Sequence, residues 1–315
     1  MTKQEPPEGL IDMTQAKENL ASLETEASNE RTAELDTLST HDLIRTLHAE
    51  NYTVADAVGA SLPEIVKLVD VAAERLANGG RLFYVGAGTS GRIGVLDASE
   101  CPPTFGVEKE MVQGVIAGGR DAVTTSLEGV EDKKESGGRD LGARRVGAQD
   151  VVIGIAASGR TPYVIGAMEA ARKVGAYTAA VVNVPSSQMS YHADITIIAA
   201  TGPEALAGST RLKAGTAQKM ILNLISTGVM VRLGKVYRNL MVDVRATNEK
   251  LKDRATRIVM VAAEVDYAKA QQALQQADWS AKVAIVMLKL GLDADRATER
   301  LFGVNDNLRL ALGSE

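Results

Sequence analysis

A doubly wound α/β protein, with helices before and after a parallel sheet, is the fold class this 315-residue sequence predicts. Three observations carry it. Short apolar runs alternate with helical stretches between residues 81 and 199, most of those runs close on Gly, Ser or Pro, and after Gly208 the strand signal gives way to helical periodicity alone.

In chain order, residues 1–13 are polar and contain two prolines, so they read as a tail. Residues 14–79 are mostly helical. Their clearest stretch places Leu62, Ile65, Val66, Leu68, Val69, Ala72 and Leu76 at helical spacing, with Pro63 in the first turn and Asn78, Gly79 and Gly80 as the stop. Five buried strands follow at 81–85, 111–117, 151–156, 178–183 and 194–199, with helices near 90–99, 121–135, 162–174 and 186–192. Strands apolar on both faces belong to a parallel sheet covered by helices on each side. A stripe of Ala214, Ala217, Met220, Ile221, Leu224, Ile225, Gly228 and Val231 then steps by three and four, which predicts a long amphipathic helix over 213–233. Further helices fall at 248–264, 267–277, 280–290, 293–301 and 305–312. The expected division is a tail (1–13), N-terminal helices (14–79), the sheet domain (80–235), a connecting helical segment (236–264) and a small helical bundle (265–315).

Composition removes several function classes. Thirty-five Lys and Arg against 40 Asp and Glu leave a net charge of −5, so no global basic field would hold a nucleic acid or an anionic membrane. Aromatics at 3% supply no stacking platform for bases or sugars. Cys101 is the single cysteine, and His41, His48 and His192 are dispersed, so neither an internal disulfide nor a Cys/His metal cluster is expected. The start lacks the apolar core of a signal peptide and no stretch approaches ~20 apolar residues, which reads as cytoplasmic.

Two loops carry the chemistry. Gly86-Ala87-Gly88-Thr89-Ser90-Gly91-Arg92 follows the first strand and opens a helix, an arrangement in which backbone N–H groups approach an anion. It also spells G-x-G-x-x-G, but the second strand ends Ile116-Ala117-Gly118-Gly119-Arg120 without the acid a dinucleotide ribose requires, so no cofactor is expected. Thr89 and Ser90 add hydroxyls that suit a phosphate monoester. The second loop, Ala157-Ser158-Gly159-Arg160-Thr161-Pro162, follows the third strand, with Thr161 placed as an N-cap and Pro162 at the first helical position. In a sheet of order 2-1-3-4-5 these two turns meet in one crevice, where they would hold a phosphate ester.

Here the residues resemble a known family. GAGTSGRIGVLDASECPPTFG from Gly86 to Gly106, IAASGRTPY from Ile155 to Tyr163, KAGTAQK from Lys213 to Lys219, and NLMVDV with ATNEKL between Asn239 and Leu251 are similar to motifs of the N-acetylmuramic acid 6-phosphate etherases, enzymes of the sugar isomerase (SIS) fold. Leu212 stands where Met is frequent, and the stretch from His48 to Tyr52 is less acidic than usual. The resemblance implies cleavage of a D-lactyl ether by elimination and water addition, without metal or cofactor, in a homodimer. It also implies that Glu100 protonates the departing lactate, that Glu131 handles the proton at C2, and that Thr89, Ser90, Ser158, Gly159, Arg160 and Thr161 hold phosphate.

Locally, Glu100 precedes Cys101-Pro102-Pro103 and reads as a turn residue, while Glu131 lies among Glu128, Asp132, Lys133, Lys134 and Glu135 like an exposed helix face, so Glu128 or Asp132 stays open as its substitute. Acid and base roles call for carboxyls in contrasting environments, and Glu100 is expected to be the more buried. Lys213 and Thr216, at the start of the long helix, are secondary candidates, a helix-starting lysine being more often solvent-facing. An aldose–ketose sugar-phosphate isomerase and a non-catalytic sugar-phosphate sensor are the competing readings.

Overall fold

One parallel sheet of five short strands forms the centre of the computed structural model, which describes residues 26–244, 246 and 248–313. The strands are β1 (Leu82–Gly86), β2 (Val112–Ile116), β3 (Val151–Ile155), β4 (Tyr177–Val182) and β5 (Ile195–Ile198), each end within one residue of its predicted place. Their order is β2-β1-β3-β4-β5, and Leu82 is in register with Val112 on one side and Val151 on the other. The chain reverses its direction of travel across the sheet between β1 and β3, where open α/β sheets form crevices. The predicted tail and the first part of the predicted N-terminal helices, up to residue 25, lie outside the described residues.

Alternation along the strands sends side chains to two cores. Leu82, Tyr84, Val151, Ile153 and Val181 pack with α2 (Tyr52–Gly59), α3 (Leu62–Ala77), α4 (Gly88–Phe105) and α8 (Lys213–Arg232). Phe83, Val85, Val152, Ala180 and Val182 pack instead with α6 (Lys134–Gly142) and α7 (Pro162–Lys173). A third core joins Tyr237, Val242 and Val244 to α9 (Glu249–Ala263), α10 (Tyr267–Gln276), α11 (Ala281–Leu290), α12 (Ala294–Phe302) and α13 (Leu308–Leu312). Among the described residues no helix is long and apolar enough to cross a membrane.

Two helices depart from the sequence reading. α4 runs through Pro102 and Pro103 to Phe105, where Gly106 at φ +66° takes the left-handed cap and donates to the Pro102 carbonyl. The prolines fall in the last turns, and burial of Cys101 and Phe105 offsets the hydrogen bonds they remove. The predicted helix 121–135 is in fact a short turn, α5 (Asp121–Thr124), then a loop, then α6. Gly129 at φ +70° marks the break, so Glu131 lies in a loop and not on a helix face.

The end of α1 (Thr40–Glu50) is tied to the sheet domain by a buried ion cluster. Glu50 accepts from Arg31 Nε at 2.6 Å, from Asn29 Nδ2 at 2.7 Å and from Lys213 Nζ at 3.0 Å. These contacts hold the Glu50 carboxyl down to about 2, the Arg31 hydrogen bond contributing most. Lys213 is thus only 1% exposed and serves as an internal partner, contrary to the expectation of a solvent-facing lysine.

Candidate active site

α4 begins where β1 ends, and it lies unusually close to the sheet. A Cβ on Gly91 would come within 2.6 Å of Ile116 Cγ1, so the glycine is what lets the helix settle against β1 and β2. Ala87 at the N-cap offers no side-chain hydrogen bond, which leaves the first-turn N–H groups of α4 without a capping side chain. Thr89 and Ser90 sit in that turn and line the adjoining crevice.

The second turn leaves β3 and is fixed at Gly159, whose φ of +62° is left-handed and whose missing Cβ would run into Ser187 Oγ. Ser187 Oγ and the Met189 N–H both donate to the Gly159 carbonyl, at 3.1 and 2.9 Å. Thr161 occupies the N-cap position of α7, yet its hydroxyl makes no capping bond; it lines the crevice together with Ser158. Gly159 is buried and Arg160 half-buried, and neither of these two expected phosphate ligands lines the cavity.

Between these helix starts is a cavity of about 330 Å³. Carboxylates enter it from two sides. Glu131 and Glu128 come from the loop after α5, which Arg92 holds by donating to the Val123 carbonyl at 3.1 Å and the Thr125 carbonyl at 3.0 Å. The Glu131 carbonyl also accepts from the Tyr163 N–H at 2.9 Å, so this residue is pinned to the first turn of α7. Asp132 is exposed and does not line the cavity. Opposite stand Glu26, Gly208 and Thr210.

Glu100 does not join them. It lies on α4 ten residues beyond Ser90, a helical rise of about 15 Å, and is exposed to solvent. The expectation that Glu100 is the more buried carboxylate is therefore reversed, because α4 continues past it and turns it outward while the Glu131 loop folds in. Thr216 is exposed and donates to the Leu212 carbonyl at 2.7 Å; neither it nor Lys213 lines the cavity. Cys101 is buried, and burial pushes its thiol up to about 12, the state of a packing residue.

Ser126, Thr210 and Glu26 line the cavity without having been singled out in the sequence. Thr210 had a signal: it follows Gly208, at φ +75°, in a hydroxyl-bearing turn before a helix, as Ser90 follows Gly88 at φ +51°. The start of α8 follows three residues beyond Thr210. Glu204, 1% exposed, accepts from the N–H groups of Lys213 at 2.8 Å and Ala214 at 2.9 Å.

The chain is similar to known proteins both in its sheet domain and along most of its length. A SIS domain model matches residues 135–227, and the model for the glucokinase regulatory protein N-terminal SIS domain matches residues 64–172. The N-acetylmuramic acid 6-phosphate etherase of Erwinia tasmaniensis is 53% identical over 93% of this chain and 96% of its own length, and that of Cronobacter sakazakii is 54% identical over 93% and 99%. Among solved structures, a phosphoheptose isomerase from Francisella tularensis aligns over 62% of this chain and 100% of its own, with 17% identity and a TM-score of 0.48.

Proposed function

This chain belongs to the N-acetylmuramic acid 6-phosphate etherase family, and from that premise we infer how its crevice performs the family's reaction. The protein is a carbon–oxygen lyase that cleaves the D-lactyl ether of N-acetylmuramate 6-phosphate, giving N-acetylglucosamine 6-phosphate and D-lactate.

An alkyl ether resists direct displacement, so the substrate is first activated. Opening the pyranose exposes an aldehyde at C1 and makes the C2 hydrogen acidic. A carboxylate takes that proton, the C2 electrons form a double bond to C3, and the lactyl oxygen leaves C3 with a proton from a second acid. Water then adds at C3 while C2 regains a proton, which restores the sugar skeleton with a hydroxyl in place of the ether.

In this reading the 6-phosphate lies between the starts of α4 and α7, on backbone N–H groups and the hydroxyls of Thr89, Ser90, Ser158 and Thr161, in a turn whose shape Gly159 sets. Glu131 is the base at C2, with Glu128 beside it in the same loop. The family resemblance assigns the acid at the lactyl oxygen to Glu100, which lies outside the cavity of a single chain. The observation that carries the reading is the convergence of two hydroxyl-bearing helix starts and Glu131 on one cavity.

Glu131→Gln is expected to lower lactate release by about 10²–10⁴-fold while the product phosphosugar still binds. Reaction in heavy-oxygen water is expected to put label in the C3 hydroxyl of N-acetylglucosamine 6-phosphate. Near-normal turnover by Glu131→Gln, or label in the lactate, would overturn the assignment.

A further inference from the structure

We propose that Glu26 is a further acid–base residue of this reaction: its carboxylate opens the sugar ring, carrying the proton of the C1 hydroxyl to the ring oxygen before Glu131 takes the proton at C2. The proposal rests on the reading of the crevice as the etherase site and concerns the step that must come first.

The elimination needs an aldehyde, and a pyranose has none. Opening the ring breaks the C1–O5 bond. The C1 hydroxyl gives up its proton, its O–H electron pair becomes the second bond of the C1 carbonyl, and the C1–O5 pair goes to O5, which takes a proton. One carboxylate that accepts the first proton and hands it to O5 ends the step unchanged, so the step asks for a single proton carrier within hydrogen-bond reach of C1 and for no other reagent.

Among the described residues, the ionisable side chains that line the cavity are Glu26, Glu128 and Glu131, and no histidine is among them. Glu128 and Glu131 come from one loop, and the backbone of Glu131 is pinned to the first turn of α7. A sugar lying in the crevice with its C2 hydrogen toward that loop is reached from its other side by Glu26, alone of the three.

The fold prepares Glu26 for this. It is exposed, and it makes no hydrogen bond or ion pair with another described residue. Its Oε2 lies 3.1 Å from the place a Cβ would take on Gly208, so the glycine leaves room for the carboxylate. Three residues on, Asn29 is buried and donates to Glu50 Oε2 at 2.7 Å and to the Pro203 carbonyl at 3.4 Å, while its own Oδ1 accepts from the Arg31 N–H at 3.1 Å. Glu50 also accepts from Lys213 at the start of α8. One buried cluster therefore ties the segment that carries Glu26 to both ends of the loop that carries Gly208 and Thr210. Buried ion clusters are often no more stabilising than apolar groups of the same volume; what this one supplies is placement of a free carboxylate against the crevice.

Exchange NMR between the α and β anomers of N-acetylglucosamine 6-phosphate reads ring opening without elimination, because each interconversion passes through the aldehyde. Wild-type protein is expected to speed this exchange above its rate in buffer. Glu26→Gln is expected to lower the acceleration by about 10²-fold and to slow lactate release, while the rise in Tm on adding the phosphosugar is kept, which shows a folded, binding protein. In Glu131→Gln the larger loss should fall on exchange of the C2 hydrogen with heavy water. Anomer exchange at the buffer rate with wild type, an undiminished rate with Glu26→Gln, or equal loss of anomer exchange in both variants overturns the proposal and leaves Glu131 as the base at C2. Near-normal lactate release by Glu131→Gln removes that base assignment instead, and the anomer rates of Glu26→Gln still decide the proposal.

Discussion

Gly159 concentrates the demands of the second turn in one residue. Its left-handed backbone and the Ser187 hydroxyl behind it leave no room for a side chain. Gly159→Ala is expected to cost about 1–3 kcal/mol of stability and to raise KM for the phosphosugar, because the same turn presents Ser158 and Thr161; thermal melts and steady-state kinetics check both. The hydroxyls at 89, 90, 158 and 161 were legible in the sequence because a strand, a glycine-containing turn and a helix start follow one another in fixed order around each. Glu131 was not legible that way. Its acidic and basic neighbours look like any solvated surface, and only the family resemblance singled it out. Lys213 misled for another reason: its partner Glu50 is 163 residues away in the chain, and no local pattern announces such a pairing.

Among the elements, α1 and α8 are joined by that ion pair, and its strength depends on pH. Glu50 has its carboxyl lowered from 4.5 to about 2 by Arg31, Lys213 and Asn29 in the folded chain. Because the folded value is the lower one, the stabilisation is fully present above about 4.5 and is lost as pH falls toward 2. Glu50→Gln is expected to lose about 3 kcal/mol at neutral pH, and the gap from wild type should shrink in urea titrations run at successively lower pH through that window. The central strands β1, β3 and β4 were readable to within a residue because burial on both faces leaves uninterrupted apolar runs, while the edge strands β2 and β5, partly exposed, were read from their Val and Ile content. The segment 121–135 was not readable, since a charged run fits a helix surface and a loop equally well, and the backbone turn at Gly129 decided between them. α4 was underestimated because paired prolines usually end a helix, whereas here the buried side chains of Cys101 and Phe105 carry it through.

At the scale of the whole molecule, the crevice follows from strand order, and the 2-1-3-4-5 arrangement, assumed from the doubly wound class that the sequence predicts, is the one observed. The outward apolar face of α8 was not legible, because a stripe of small and aliphatic residues looks the same whether it faces a sheet or a second subunit. Binding at the crevice should stabilise the entire fold: N-acetylglucosamine 6-phosphate at 100 times its Kd is expected to add about 2.7 kcal/mol to unfolding, seen as a rise in Tm. A Ser90→Ala, Ser158→Ala double variant should lose most of that rise, and an unchanged shift would place the phosphate elsewhere. The seal that Glu204 makes over the first amides of α8 bears on the fate of the two products. With that helix end stoppered by an internal carboxylate, the starts of α4 and α7 are the helix ends left to attract the proposed 6-phosphate. Lactate, once its ether bond is cut, is expected to find no helix-end amides beside Glu26 and Glu128 and to leave ahead of the phosphosugar, an order that product-inhibition kinetics checks.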